Sequence, residues 1–400
     1  MHFLKRSRCA ARLMLPTTLI STSSHTKKME ARPSKVTMGK IITYDKRVLV
    51  TGGAGFIGSH FLDYFVRKYP HYHFTCIDKL NYVCNGSTKF MEKVLKCENF
   101  SFIQKDVYQD YDFLYDFLVT NYDTTKIDYI VNIAAESSVN LSFEDPLYFT
   151  KNNVIGTQNL LECWRILFQK NPTLKEKCLF LHVSTDEVYG EQAEGEHVDE
   201  KSPLNPTNPY SSTKAATDLI LGAYRQSFRL PVAILRSNNV YGARQHPEKI
   251  IALALTKLVL HCCKGNLDQE MEDKIKIHGD GSNKRTYLHI VDLLEAIDLI
   301  WNILLKEPLS TSGKIEKYVF NIGSEDEIDN LSLVKLIITK FFEKKGKKSP
   351  IEFLNYIAFT TDRCYNDSRY SINYAKTKKL GWKPAVKLEQ GLEEMIEELY

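Results

Sequence analysis

Nine cysteines are scattered through 400 residues without a single C-x-x-C pair. That spacing argues against a zinc site or a dithiol redox centre, and the odd number argues against a closed disulfide framework. Reduced core thiols in a cytoplasmic protein are the expectation. Cys262 and Cys263 follow His261, but no second ligand pair stands at zinc spacing, so no metal is expected. No apolar run reaches the length needed to span a bilayer, which argues against a helical membrane protein. Acids are scarce in one region, since residues 1–40 carry nine Lys or Arg against the single acid Glu30. Removing that +8 from the formal +4 leaves the rest of the chain at −4, a mildly acidic body without the electrostatic footprint of a nucleic-acid binder. The tail reads as a disordered extension, or as sequence upstream of a later start at Met29 or Met38. Its Ser, Thr and Arg content also suits a mitochondrial presequence. No catalytic residue is expected in it.

What is present is an ordinary globular composition, 43% hydrophobic and 26% charged, enough for a sizeable core. From residue 46 short apolar runs alternate with amphipathic stretches. Strands are expected at 47–51, 73–77, 100–104, 129–133, 178–183 and 231–236, with helices between them, the first at 56–68. Each strand follows the last at βα distance, so a doubly wound parallel α/β sheet of Rossmann type is expected over residues 41–238. Past residue 239 the rhythm breaks into helices at 249–261 and 291–306 and a short strand at 274–278. Residues 239–400 are expected to form mainly a smaller substrate-binding lobe.

The first strand opens into Gly52-Gly53-Ala54-Gly55-Phe56-Ile57-Gly58, and a helix follows. Glycines at 52, 55 and 58 supply a tight turn, close approach to a pyrophosphate, and close packing at the positive end of a helix. Asp78 ends the second strand twenty residues on, where a carboxylate accepts from ribose hydroxyls and repels a 2′-phosphate. NAD is therefore expected rather than NADP. Asp106, after the third strand, could hold the adenine edge.

Polar residues past the carboxyl end of a buried strand are where such sheets bind ligands. The strand at 178–183 runs into Ser184-Thr185-Asp186-Glu187, a hydroxyl and two carboxylates suited to acid and base chemistry. Tyr210-Ser-Ser-Thr-Lys214 has the Y-x-x-x-K form, with both side chains on one helical face, where an ammonium favours a phenolate and lowers the Tyr pKa. The same spacing recurs at Tyr64 and Lys68 and at Tyr374 and Lys378. The first pair is favoured because Asn208-Pro209 makes a helix start shortly after the two carboxylates.

Together with Ala134-Ala135-Glu136-Ser137, Arg236-Ser-Asn-Asn-Val-Tyr-Gly242, Pro247-Glu-Lys249, His278-Gly-Asp-Gly281 and Asn321-Ile-Gly323, these motifs resemble the extended short-chain dehydrogenase/reductases. Within them the chain is most similar to the nucleotide-sugar 4,6-dehydratases typified by dTDP-glucose 4,6-dehydratase. The resemblance runs from about residue 46 to the C-terminus and implies an NAD-dependent lyase acting on dTDP- or UDP-glucose, working as a homodimer. It implies Tyr210 as the base at the C4 hydroxyl, with Lys214 beside it and Thr185 bonding the C4 oxygen. Glu187 becomes the base at C5 and Asp186 the acid at C6. It also implies cofactor contacts at Phe56, Ile57, Lys79, Val107, Ala134, Ala135, Asn152 and Ser184, and substrate contacts at Ser137, Asn239, Lys249, Arg285, Asn321 and Arg363. The family usually has His, His and Asp where this chain has Asn132, Ser138 and Asn140, and residues 362–367 lack its usual Pro-Gly-His. A 4-epimerase or decarboxylase of the same family, which needs no such carboxylate pair, and a non-catalytic NAD-binding regulator are the alternatives. The sequence does not distinguish uracil from thymine.

Overall fold

A computed structural model describes residues 43–264, 274–306, 314–348, 350 and 352–399. The basic tail, with Met29 and Met38, lies outside them. Twelve strands are described: β1 Lys46–Thr51, β2 Tyr72–Asp78, β3 Phe100–Gln104, β4 Tyr129–Asn132, β5 Leu179–Thr185, β6 Val232–Ser237, β7 Asn239–Tyr241, β8 Ile275–His278, β9 Lys284–His289, β10 Val319–Ile322, β11 Glu327–Asp329 and β12 Ile357–Thr360. Seven form one parallel sheet in the order β10-β6-β5-β4-β1-β2-β3. Its central strands are rich in Val, Ile and Leu because both faces are buried. The winding reverses between β1 and β4, and the carboxyl ends there open onto a crevice.

The longer helices are α1 Phe56–Lys68, α2 Gly156–Lys170, α3 Pro209–Phe228, α4 Ile250–Lys264, α5 Ile290–Lys306, α6 Asn330–Lys344 and α7 Leu388–Glu397. Phe61 and Phe65 of α1 share a core cluster with Trp301 of α5, while Leu160 and Trp164 of α2 share another with Leu221 of α3. A third cluster joins α4, α6 and α7 over β8 and β12, beside the three-stranded sheet β11-β9-β7.

The expected dividing line at residue 238 is crossed by the chain. Helix α5 buries Leu293, Ile297, Ile300 and Trp301 in the same cluster as α1, and β10 pairs with β6 as an edge strand of the main sheet. A helix that apolar needs a sheet to cover it, and a parallel edge strand after a crossover helix supplies that arrangement.

Candidate active site

Gly52 turns the chain out of β1 at φ +76°, and a Cβ there would lie 2.6 Å from the Ala134 nitrogen. A Cβ on Gly58 would lie 2.0 Å from the Gly52 oxygen, so α1 starts against the turn it leaves. Gly55 differs. A Cβ there would meet only the Gly52 oxygen at 3.5 Å, and Gly55 lines a cleft of ≈ 680 Å³, so its missing side chain leaves room for a ligand. Asp78 accepts from the Leu80 amide (2.8 Å) on Oδ1 and from the Ala54 amide (2.9 Å) on Oδ2, bracing the glycine turn while lining the cleft. Lys79 pairs with the buried Glu136 at 2.7 Å and donates to Asn152 Oδ1 at 2.6 Å. Asp106 accepts from the Tyr108 amide at 2.7 Å.

Phe56, Ile57, Gly58, Val107, Ala134, Ala135 and Ser184 complete this wall. The buried Ser184 hydroxyl has no hydrogen-bond partner among the described residues, and an orphaned polar group on a cleft wall marks a ligand contact. The open face at Gly55, the carboxylate at the end of β2 and this hydroxyl fit a dinucleotide laid over α1.

Strand β5 delivers the catalytic candidates. The Thr185 hydroxyl accepts from the Glu187 amide (3.3 Å) and donates to Asp186 Oδ1 (3.2 Å), starting a 3₁₀ turn over Asp186–Tyr189. Glu187 lines the cleft and accepts from Asn208 Nδ2 at 3.3 Å. Asp186 lies behind that wall, 1% exposed, and accepts from Asn238 Nδ2 at 2.7 Å. Burial, with help from the Glu187 charge, pushes its pKa up to about 7. Two neighbouring carboxylates thus have different environments, one protonated near neutrality and one open to the cleft.

Helix α3 is started by an Asn208–Ser211 capping box with Pro209 in the first turn. It carries Tyr210 and Lys214 into the cleft, both buried. The Tyr210 hydroxyl faces the Thr185 side chain, which favours its ionised form. The expectation that Lys214 lowers the Tyr210 pKa is not met here. Burial, then the charges of Glu187 and Asp186, push the phenol up, and the Lys214 Nζ is turned to the Val183 carbonyl (2.7 Å) and His182 Nε2 (3.1 Å). Burial lowers the Lys214 pKa to about 8. The competing pair Tyr64 and Lys68 sits on the surface, tied to Asp298.

At the far end of the cleft Lys249 donates to the Ser137 carbonyl at 2.7 Å. Arg285 lies over the Tyr370 ring at 4.6 Å, and Asn239 and Arg363 stand on the same wall with Nδ2 and Nε buried and unpartnered among the described residues. Such donors suit phosphate oxygens. Asn321 is a correction to the expected set. It lies on β10, is fully buried, accepts from the Tyr189 hydroxyl (2.8 Å) and donates to the Asn373 carbonyl (3.1 Å), away from the cleft. Sequence reasoning passed over Asn208 and Asn238, which hold Glu187 and Asp186, although both stand inside the motifs quoted for other reasons. It also passed over Tyr370, which no local pattern singles out.

The model of the GDP-mannose 4,6 dehydratase family matches residues 49–395. The chain is 36% identical over 356 residues to the dTDP-D-glucose 4,6-dehydratase of Homo sapiens, covering 88% of this chain and 90% of that one. It is 54% identical over 363 residues to an uncharacterized protein of Schizosaccharomyces pombe, covering 89% and 98%. Among solved structures, the dTDP-glucose 4,6-dehydratase of Bacillus anthracis in complex with NAD is 34% identical with a TM-score of 0.69, covering 88% of this chain and 96% of that one. The UDP-glucuronic acid 4-epimerase of Bacillus cereus, in complex with UDP-glucuronic acid and NAD, also has a TM-score of 0.69 at 26% identity, covering 88% and 100%.

Proposed function

The chain belongs to the GDP-mannose 4,6-dehydratase family, and from that premise we propose that it is an NAD-dependent nucleotide-sugar 4,6-dehydratase. It converts dTDP- or UDP-glucose to the 4-keto-6-deoxy sugar with loss of one water. The observation that carries this reading is the carboxylate pair Asp186 and Glu187 set beside Thr185 and Tyr210. Gly55, Asp78 and Ser184 would hold NAD, which when bound would supply the redox chemistry as hydride acceptor at C4 and donor at C6. Tyr210 takes the proton of the C4 hydroxyl while Thr185 holds that oxygen. A C4 ketone acidifies the C5 proton, which Glu187 removes from its position on the cleft wall. Asp186, protonated near neutrality but set behind the wall, is the acid for the departing C6 hydroxyl, its proton passing by way of the Thr185 hydroxyl that it touches on the cleft wall. Arg285, Arg363, Lys249 and Asn239 hold the diphosphate.

A 4-epimerase has the same fold and needs the same Tyr-Lys pair, but it has no use for an acid and a base at C5 and C6. Incubation with dTDP-glucose and with UDP-glucose, followed by mass spectrometry, is expected to yield a 4-keto-6-deoxy product from one or both. Formation of UDP-galactose instead, or no product from either, sinks the reading.

Two further parts of the proposal concern the setting. Leu141, Leu147, Ile155 and Leu219 are exposed on α3 and on short helical turns before α2, an apolar surface that supports a homodimer. The seven cysteines whose side chains are described are free thiols, which supports a cytoplasmic setting; no helix among the described residues is long and apolar enough to cross a membrane.

A further inference from the structure

Behind Lys214 runs a file of buried polar groups that the reaction itself does not use. Lys214 Nζ is 3.1 Å from His182 Nε2, and His182 Nδ1 is 3.0 Å from Asn132 Nδ2. The Asn132 amide also reaches Thr157 Oγ1 (3.0 Å), and its Oδ1 accepts from the Thr51 hydroxyl (2.6 Å). Lys214, His182 and Asn132 are 3%, 1% and 1% exposed; Lys214 also donates to the Val183 carbonyl (2.7 Å) at the cleft wall, but the His182 and Asn132 side-chain donors and acceptors must find their matches within the file.

Counting hydrogens shows that two arrangements satisfy the same heavy atoms. In the first, the Asn132 Nδ2 donates to His182 Nδ1. The proton of the neutral imidazole then sits on Nε2 and points at Lys214, which can accept it only as a neutral amine. In the second, the amide is turned over, its oxygen accepting from His182 Nδ1–H and from Thr157 and its nitrogen donating to Thr51 Oγ1. The bare Nε2 then accepts from a Lys214 ammonium. Oxygen and nitrogen of an amide differ by one electron, so heavy-atom positions alone do not choose between the two. A mixed state sets two hydrogens against each other in a buried site, which is costly.

We propose that Asn132 and His182 are positioning residues that couple the proton of Lys214 to the tautomer of a buried imidazole, so that the file holds Lys214 either as ammonium or as amine. The ionisable groups around Lys214 are His182 from β5 and, on its own helix, Tyr210 one turn before and Asp218 one turn after. Arg236 of β6 pairs with Asp218 at 2.8 Å, and Asp186 and Glu187 bear on Tyr210. Burial, with the Lys214 charge, holds His182 well below its ordinary range, while burial brings Lys214 to about 8, so Lys214 is the member that titrates. As pH rises through that value one proton leaves for solvent. The ammonium becomes the amine, and the imidazole stays neutral while its proton passes from Nδ1 to Nε2. Only the low-pH arrangement sets a positive charge one turn from Tyr210, and this catalytic consequence rests on the function proposed above.

The test is nitrogen NMR of the full chain labelled at histidine, with and without NAD, the His182 signals assigned by their loss in His182→Gln. The ring is expected to change from Nδ1–H to Nε2–H with a midpoint near pH 8. In Asn132→Asp, where the carboxylate only accepts, Nδ1–H should persist from pH 6 to 10. In Lys214→Met, the pH dependence should vanish. One tautomer throughout in the wild-type protein, protonation of His182 to imidazolium above pH 6, or a tautomer change surviving in Lys214→Met overturns the proposal. If Asn132→Asp does not fold, the wild-type titration and Lys214→Met still decide. A tautomer change in a protein that forms no 4-keto-6-deoxy product leaves this inference standing and removes the dehydratase reading. Turnover without the change does the reverse.

Discussion

Asp186 and Glu187 are adjacent and chemically alike, yet one is sealed behind the cleft wall and the other opens onto it. The sequence identifies them as a reactive pair, since few structural roles call for two carboxylates at a buried strand end. It cannot say which is buried, because burial depends on Asn238 and on lobe residues packed from far along the chain. The same limit applies to Lys214, whose partner in this structure is His182 rather than Tyr210. The environments give a stability prediction. Asp186 has its pKa raised on folding, so between about pH 4 and pH 7 the native state holds a proton the unfolded chain has lost, and stability falls as pH rises through that window. Asp186→Asn removes this slope. Chemical denaturation should show the variant gaining on the wild type from pH 4 to pH 7, by on the order of 3 kcal/mol at most. A constant difference across that range would show that Asp186 is not held protonated. For Glu187→Gln the expectation is kinetic. Product formation slows by roughly 100-fold or more while reduced nicotinamide absorbance builds up on the enzyme. A variant turning over at the wild-type rate would remove Glu187 as the base.

Elements buried on both faces were legible, because β1, β4, β5 and β6 are continuous apolar runs and α1 opens on a glycine turn with a stated purpose. Strands β7, β9, β10, β11 and β12 were not, being three to six residues long and stabilised by partners distant in sequence. Helix α3 shows how an element carries function through its end. Asn208 accepts from the Ser211 amide at 2.9 Å as the cap, and with its other atom donates to Glu187. The two roles separate by substitution. Asn208→Ala should cost about 1 kcal/mol of stability and also slow elimination. Asn208→Ser, a good cap too short to reach Glu187, should recover the thermal midpoint but not the rate. Recovery of both would mean the Asn208–Glu187 contact is idle.

At the scale of the whole molecule, ligand and partner act on the same scaffold. A dinucleotide over α1 binds the folded chain alone, so NAD at a hundred times its Kd should add about 2.7 kcal/mol and raise the melting temperature. NADP should add much less, because both oxygens of Asp78 already hold the glycine turn and a 2′-phosphate would meet the carboxylate unscreened. Equal stabilisation by the two would assign Asp78 to bracing the turn only.

Helix α3 faces two ways, turning Tyr210 and Lys214 to the cleft and leaving Leu219 64% exposed, in line with Leu147 at 70% on a neighbouring turn. Covering an apolar side chain of this size contributes about 1.5–3 kcal/mol, so four leucines from two copies contribute about 6–12 kcal/mol, comparable to the cost of association, and Leu141 and Ile155 add to it. The helix that holds the catalytic pair would then be supported from its outer side by its counterpart. Leu147→Glu with Leu219→Glu should therefore convert a dimer into a folded monomer of about 46 kDa by sedimentation, with circular dichroism unchanged and a lower melting temperature. A wild-type chain that already sediments as a monomer, or a double variant that remains a dimer, would show that this surface has another use.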